Sequence, residues 1–199
     1  MTTREIVYFE KPGPQNTIEV VRAVSKRAGE LGIEHIVVAS NSGQTALKFW
    51  QALNGMKMNL VCVSQHAGFS GGDEIRLDED TKKELDGKNI KTLICSHALS
   101  GVSRSITNKF GGTSEVEIVA HVLRLFGCEG IKVAVEVSIM AADAGLIPTT
   151  REIIAAGGTR GGADAAIVLK AAHMNNFFDL EIREIIAKAR QRSLKGSKN

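Results

Sequence analysis

Short apolar runs rich in Val and Ile recur along this chain, each handing over to a loop of Ser, Gly or His and separated from the next by a longer amphipathic stretch. A run of four to eight such residues bounded by turn residues marks a buried strand, and 3.6-residue periodicity between the runs marks helices. Strands that are apolar throughout need cover on both faces, which a parallel sheet between two helical layers supplies. The pattern therefore selects an α/β architecture: an open, mainly parallel sheet with helices on both sides.

Taken in order, "EIVYF" (5–9) is the first expected strand. Asn16 or Thr17 caps a helix through Leu31, with Ile18, Val21, Val24, Ala28 and Leu31 on its apolar face. "HIVVAS" (35–40) is the next strand and Thr45 to Leu53 the next helix. "LVCVSQ" (60–65) follows, then an acidic helix around Asp78 to Leu85, then the strand "TLICSHA" (92–98). After a loop of Gly and Ser comes "TSEVEIVAHVLRLFG", capped by Thr113 or Ser114 and ended by Gly127. We expect a strand and a small-residue loop from "IKVAVEVSIMAADAG" (131–145), a helix opened by Pro148 and Thr149 and running to Ala156, a last strand at 163–172, and a closing amphipathic helix from "DLEIREIIAKAR" with Leu180, Ile182, Ile185 and Ile186 on its packed face.

The chain has 199 residues, 43% hydrophobic and 24% charged, which fits one compact domain with a substantial core. We expect that domain to span 1–189, with 190–199 a basic, frayed tail. The net charge of +3 comes partly from "KARQRSLKGSKN", and no aromatic residues interleave with those charges, so nucleic acid is not an expected partner. Three cysteines without a C-x-x-C pair point to structural thiols in a reducing cytoplasm. The opening "MTTREIVYFE" lacks the regions of a signal peptide, and no apolar run approaches the ~18 residues of a membrane span. A soluble, cytoplasmic protein is expected, and apolar helix faces are compatible with a homo-oligomer.

Polar residues collect unevenly. Loops expected to leave strands read "EKPGPQNT", "SNSGQT", "SQHAGFSGG", "SHALSGVSRS" and "SIMAADAG", and "GGTRGGAD" precedes the last strand. The carboxyl edge of an open parallel sheet is where ligands bind, at the point where strand order reverses. In "VVASNSGQTALKFW" a strand ends at Ser40, Gly43 permits close backbone approach, and a helix starts near Thr45. Unpaired amides at such a helix start favour an anion, a phosphate ester above all, with the hydroxyls of Ser40, Ser42 and Thr45 completing the cradle. Ser42 or Gln44 acting simply as a helix cap is the plainer alternative. The loop is neither G-x-x-x-x-G-K-[ST] nor G-x-G-x-x-G, and Ser42 is not framed as G-x-S-x-G.

That stretch, followed by "NLVCVSQHAG", resembles the phosphate-binding segment of the pyruvate kinase C-terminal α/β domain. With "FEKPGPQNT" and "GGTRGGADAAIVLKAA", nearly the whole chain resembles the small stand-alone archaeal and bacterial proteins called pyruvate kinase α/β domain-like. The resemblance implies a three-layer αβα sandwich around a mainly parallel sheet, and bound flavin mononucleotide (FMN). It does not imply kinase activity, since the chain has no room for a catalytic barrel. Carried over, the phosphate falls to Ser40, Asn41, Ser42, Gly43, Gln44 and Thr45. By loop position the rest of the flavin falls near His66, Gly68, His97, Leu99, Ser100, Arg104, Thr159 and Arg160.

Two other functions stay open on the sequence. One is a regulatory module binding a phosphorylated metabolite without chemistry, and the other a small hydrolase or transferase using Ser42 or the pair His66 and His97. The histidines lack metal-ligand spacing, so hydrogen bonding to a ligand is the expectation for them. Arg160, flanked by glycines, is the favoured guanidinium for a phosphate or flavin carbonyl. Asp143 and Glu136 are generic carboxylates, and His35, His121 and His173 are structural.

Overall fold

A computed structural model describes residue 1 and residues 3–192. Seven strands form one sheet: β1 (Val7–Phe9), β2 (His35–Ala39), β3 (Asn59–Ser64), β4 (Lys91–Ile94), β5 (Glu152–Gly157), β6 (Ala165–Lys170) and β7 (Glu181–Ala189). Their spatial order is β1-β7-β6-β5-β2-β3-β4. Pairing is parallel except at β5·β6 and β6·β7, so β6 alone runs against the rest. The helices are α1 (Thr17–Leu31), α2 (Gln44–Ala52), α3 (Glu79–Gly87), α4 (Gly101–Phe110), α5 (Glu115–Arg124) and α6 (Glu129–Asp143).

Alternate strand residues feed two cores. Ile36, Val38, Ile154 and Ala156 pack with Val20, Val24, Phe49 and Leu85 of α1, α2 and α3. Val37, Val61, Ile153, Ala155 and Ile167 pack with Ala120 of α5 and with Ile131, Val135 and Ile139 of α6. Both faces of the central strands are thus covered, the three-layer αβα sandwich expected from their unbroken apolar composition.

Four assignments made from sequence change. Residues 131–145 are not a strand and loop but most of α6, which is buried on nearly every side, from Gly130 to Ala142. Continuous burial erases the 3.6-residue polar face that ordinarily reveals a helix. Residues 152–156 are central strand β5 rather than a helix, because Ile153 and Ile154 point into opposite cores. The closing segment is strand β7. Its pairing with β6 carries irregularities at Ala166/Ile167 and Val168/Leu169, and the extra residues give Ile182, Ile185 and Ile186 a helix-like spacing. The Gly- and Ser-rich loop after β4 contains α4.

Smaller differences also have causes. In α1 the buried face is Thr17, Val20, Val21, Val24, Arg27 and Ala28, and Ile18 is exposed. Arg27 is held inside by Glu184 of β7, its Nε 2.7 Å from Oε2. At the carboxyl end Arg190 N–H donates to Phe9 O at 2.8 Å, so strand pairing runs into the stretch expected as tail. Residues 193–199 of that expected tail lie outside the described residues. Among the described residues no helix is long and apolar enough to cross a membrane.

Candidate functional site

The chain crosses the sheet from β1 to β2, builds outward through β3 and β4, then returns to add β5 on the other side of β2. Strand order therefore reverses between β2 and β5, where the carboxyl ends of an open α/β sheet leave a crevice. A cleft of about 640 Å³ opens there, lined by the loops after β2, β3 and β4, by the β5–β6 hairpin and by one side of α6.

The β2–α2 turn is fixed from within. Ser40 is buried, and its Oγ accepts the N–H groups of Thr45 at 3.1 Å and Ala46 at 3.3 Å. Ser64 Oγ donates to Asn41 O at 2.8 Å, pinning the turn to the end of β3. Gly43 caps α2 at φ 79, and a Cβ there would lie 2.6 Å from Thr81 Cγ2, so both conformation and packing require glycine. The amides of Asn41, Ser42 and Gln44 and the hydroxyls of Ser42 and Thr45 have no hydrogen-bond partner among the described residues. Ser40 is thus the internal cap, whereas Ser42 and Thr45 keep their oxygens free in the cleft wall.

The opposite wall is the β5–β6 hairpin. Asp164, fully buried, accepts Gly13 N–H at 2.9 Å and Thr159 N–H at 3.0 Å, tying this hairpin to the turn after β1. Burial pushes its carboxyl above the ordinary range. The hairpin holds Arg160 at φ 62, a conformation that a non-glycine side chain adopts only under constraint. Among the described residues Thr159, 6% exposed, has no hydrogen-bond partner for its Oγ1, and Gln65 Oε1, on the loop after β3, is likewise buried and unpaired. Both residues line the cleft. Buried oxygens of this kind normally find a donor, so these two are polar atoms of the cleft left available to a ligand.

Aromatic and charged groups close the remainder. Phe69, His66 and His97 form a cluster, with ring centroids 4.9 Å apart for Phe69 and His97 and 5.2 Å for the two histidines. Burial lowers the pKa of His97 and so favours its neutral ring. From α6, Lys132 Nζ meets Glu136 Oε2 at 2.6 Å, and Glu136 Oε1 accepts Leu99 N–H at 2.9 Å. Burial also lowers the Lys132 pKa. Arg124 is paired with Glu129, whereas Arg76, Arg104 and Arg160 have no ion pair among the described residues. The cleft therefore carries an excess of positive charge.

Of the residues expected from sequence, Ser40, Asn41, Ser42, Thr45, His97, Ser100, Arg104, Thr159 and Arg160 line this one cleft. Gly43 faces α3 instead, and Gln44 offers only its amide. His66 stands behind Phe69, its Nδ1 2.6 Å from Ala67 O. Gly68 shapes its own turn, and buried Leu99 contributes through Glu136. Sequence reasoning passed over Gln65, Phe69, Arg76 and the Lys132–Glu136 pair. The i, i+4 spacing of Lys132 and Glu136 was a visible signal, masked by assigning that run to a strand.

The family model described as "Pyruvate kinase, alpha/beta domain" matches residues 18–169 of the 199-residue chain, more than half of it. The chain belongs to this pyruvate kinase alpha/beta domain family. The matched span takes in α1 to β6 and hence the β2–α2 turn, the His97 loop, α6 and the Arg160 hairpin. In this member of the family, β1 and β7 lie outside the matched span, and Gly13, next to β1, supplies one of the amides that position Asp164.

Proposed function

We propose that this pyruvate kinase alpha/beta domain protein binds FMN, with the phosphate at the start of α2 and the ring system across the cleft. The observation that carries the proposal is the set of free donors at 41–45, three amides and two hydroxyls, clustered at the start of α2 beside the cleft. The helix dipole contributes ~0.3–1 kcal/mol toward an anion, and each hydrogen bond to a charged oxygen adds about 1.5–3 kcal/mol. A cleft of about 640 Å³ is of the size that encloses such a cofactor.

The residues present fit the group. Phe69 and His97 offer flat, largely apolar surface for a ring system, and Thr159 Oγ1 and Gln65 Oε1 supply unpaired polar atoms near it. When bound, the flavin would supply hydride and electron-transfer chemistry. The chain's own contribution is to hold the phosphate, to balance its charge with Arg76, Arg104 and Arg160, and to keep Lys132 and Glu136 desolvated against the ligand. Three free thiols, of which Cys62 is pushed by burial to about 12, fit a reducing cytoplasm.

A regulatory module for a phosphorylated metabolite is the second reading, favoured by the same three arginines, whose charge exceeds that of one phosphate dianion. A serine hydrolase gains no support. Neither histidine is hydrogen-bonded to Ser42; they face each other and the Ala67 carbonyl.

The experiment is FMN uptake by wild type and by Ser42→Asp, followed through flavin fluorescence. Wild type is expected to bind and Ser42→Asp to lose binding, because a carboxylate would fill the cradle. A wild type that ignores FMN yet gains thermal stability from sugar phosphates would select the regulatory reading.

A further inference from the structure

Of the loops that frame the cleft, most are tied to a neighbouring element. The β2–α2 turn is held by Ser64 Oγ, the loop after β4 by Leu99 N–H on Glu136, and the β5–β6 hairpin by Gly13 N–H on Asp164. The loop after β3 has no such tie. Among the described residues, 66–76 make no ion pair, and their hydrogen bonds all stay inside the loop: Phe69 N–H to His66 O at 3.4 Å, Gly71 N–H to Gly68 O at 3.2 Å, and His66 Nδ1 with Ala67 O.

The two ends of this loop are firm. Ser64 is buried at the end of β3, Leu77 is buried in the core, and Asp78 caps α3 with its Oδ1 2.8 Å from Thr81 N. Between these anchors every residue from Ala67 to Arg76 is exposed. Gly68, Gly71 and Gly72 hold φ of 76, 100 and 65, and a Cβ on Gly68 would lie 3.2 Å from Gly72 O, so the loop turns back on itself. A segment with so few ties opens and closes at far lower free energy than the sheet behind it.

What the loop carries is sorted by side. Phe69, Ser70 and Arg76 line the cleft, whereas Asp73, Glu74 and Ile75 do not. Its contact with the next loop is aromatic, Phe69 against His97 at 4.9 Å between centroids. Phe69 nevertheless stays 40% exposed, and Arg76 has no ion pair among the described residues. The loop thus turns a cation and an incompletely covered ring toward the cleft and keeps its carboxylates off it.

We infer that residues 66–76 form a lid that closes over an anionic ligand, with Phe69 covering the ligand and Arg76 reaching its charge. The inference rests on the ligand-binding reading given above and adds how the ligand is retained. A ligand shifts such a loop only through contacts it makes better in the closed state. Here those contacts are a charge-assisted hydrogen bond to Arg76 and burial of the Phe69 ring. The tied loops supply a rigid floor, and opening of the untied one sets how fast the ligand leaves.

Hydrogen–deuterium exchange on the full chain, free and saturated with FMN, tests the lid, with binding followed separately by flavin fluorescence. The amides of 73–75 are the readout, because those residues do not line the cleft and a ligand resting there would not shield them by itself. They are expected to exchange freely without ligand and at least about tenfold more slowly with it. Arg76→Gln, at an exposed position, is expected to speed FMN release about tenfold or more, as loss of one charged hydrogen bond implies, and to return 73–75 to free exchange. Bound FMN with 73–75 unprotected, or an unchanged release rate in Arg76→Gln, would overturn the lid and leave the flavin reading standing. Glucose 6-phosphate bound in place of FMN, with the same protection, would keep the lid and retire the flavin. A chain that takes up neither compound would overturn both.

Discussion

Ser40 and Ser42 sit two residues apart and do opposite work. Ser40 turns inward and spends its oxygen on two amides of α2, whereas Ser42 stays on the cleft wall with its hydroxyl free. The sequence shows a strand-to-helix turn rich in hydroxyls but cannot distinguish the internal cap from the outward donor. That difference depends on which residue the burial of β2 carries inside. The same limit applies to Thr159 and Arg160, legible as a Gly-flanked pair but not as an orphaned hydroxyl beside a strained guanidinium. Histidine burial yields a prediction at this scale. His35 and His97 both have pKa values lowered first by desolvation, below the ordinary ~6.5. As pH falls through 6.5 toward the folded values, the unfolded chain takes up protons that the folded chain refuses, so stability drops. Urea unfolding followed over that window should show the decline, and His35→Gln with His97→Gln should flatten it.

At the scale of elements, β2, β3, β6 and α1 were legible because each carries a short apolar run or a clear 3.6-residue face. Helix α6 was not. Its run from Ile131 to Ala142 is twice the length of a buried strand, and length was the signal that could have named it a helix. Strand β7 imitated a helix because irregular pairing with β6 inserts extra residues, which no single-chain periodicity reveals. Helix α6 rides directly on β5. A Cβ on Gly157 would meet Gly130 O and lie 2.8 Å from Ala134 N and 2.9 Å from Val133 Cβ, so backbone blocks it. Gly157→Ala should therefore cost about 2 to 3 kcal/mol in chemical denaturation. Gly29→Ala is the control, since that Cβ would touch only Met56 Cε at 3.7 Å within helix α1. It should be neutral or stabilising by up to about 1 kcal/mol.

Across the whole molecule, the reversal of strand order between β2 and β5 decides where the cleft opens. It gathers segments far apart in sequence, from Ser42 to Arg160, around one positively charged cleft. The αβα class and the sheet edge at which the cleft opens followed from composition and loop content. The contribution of α6 to the cleft required the fold itself. The central claim is that the β2–α2 turn grips a dianionic ester, and calorimetric titration with FMN and with riboflavin isolates it, because the two ligands differ only in the phosphate. The account predicts one FMN per chain and riboflavin at least about a hundredfold weaker, the ratio that two lost charged hydrogen bonds imply. Equal affinities for the two would contradict it.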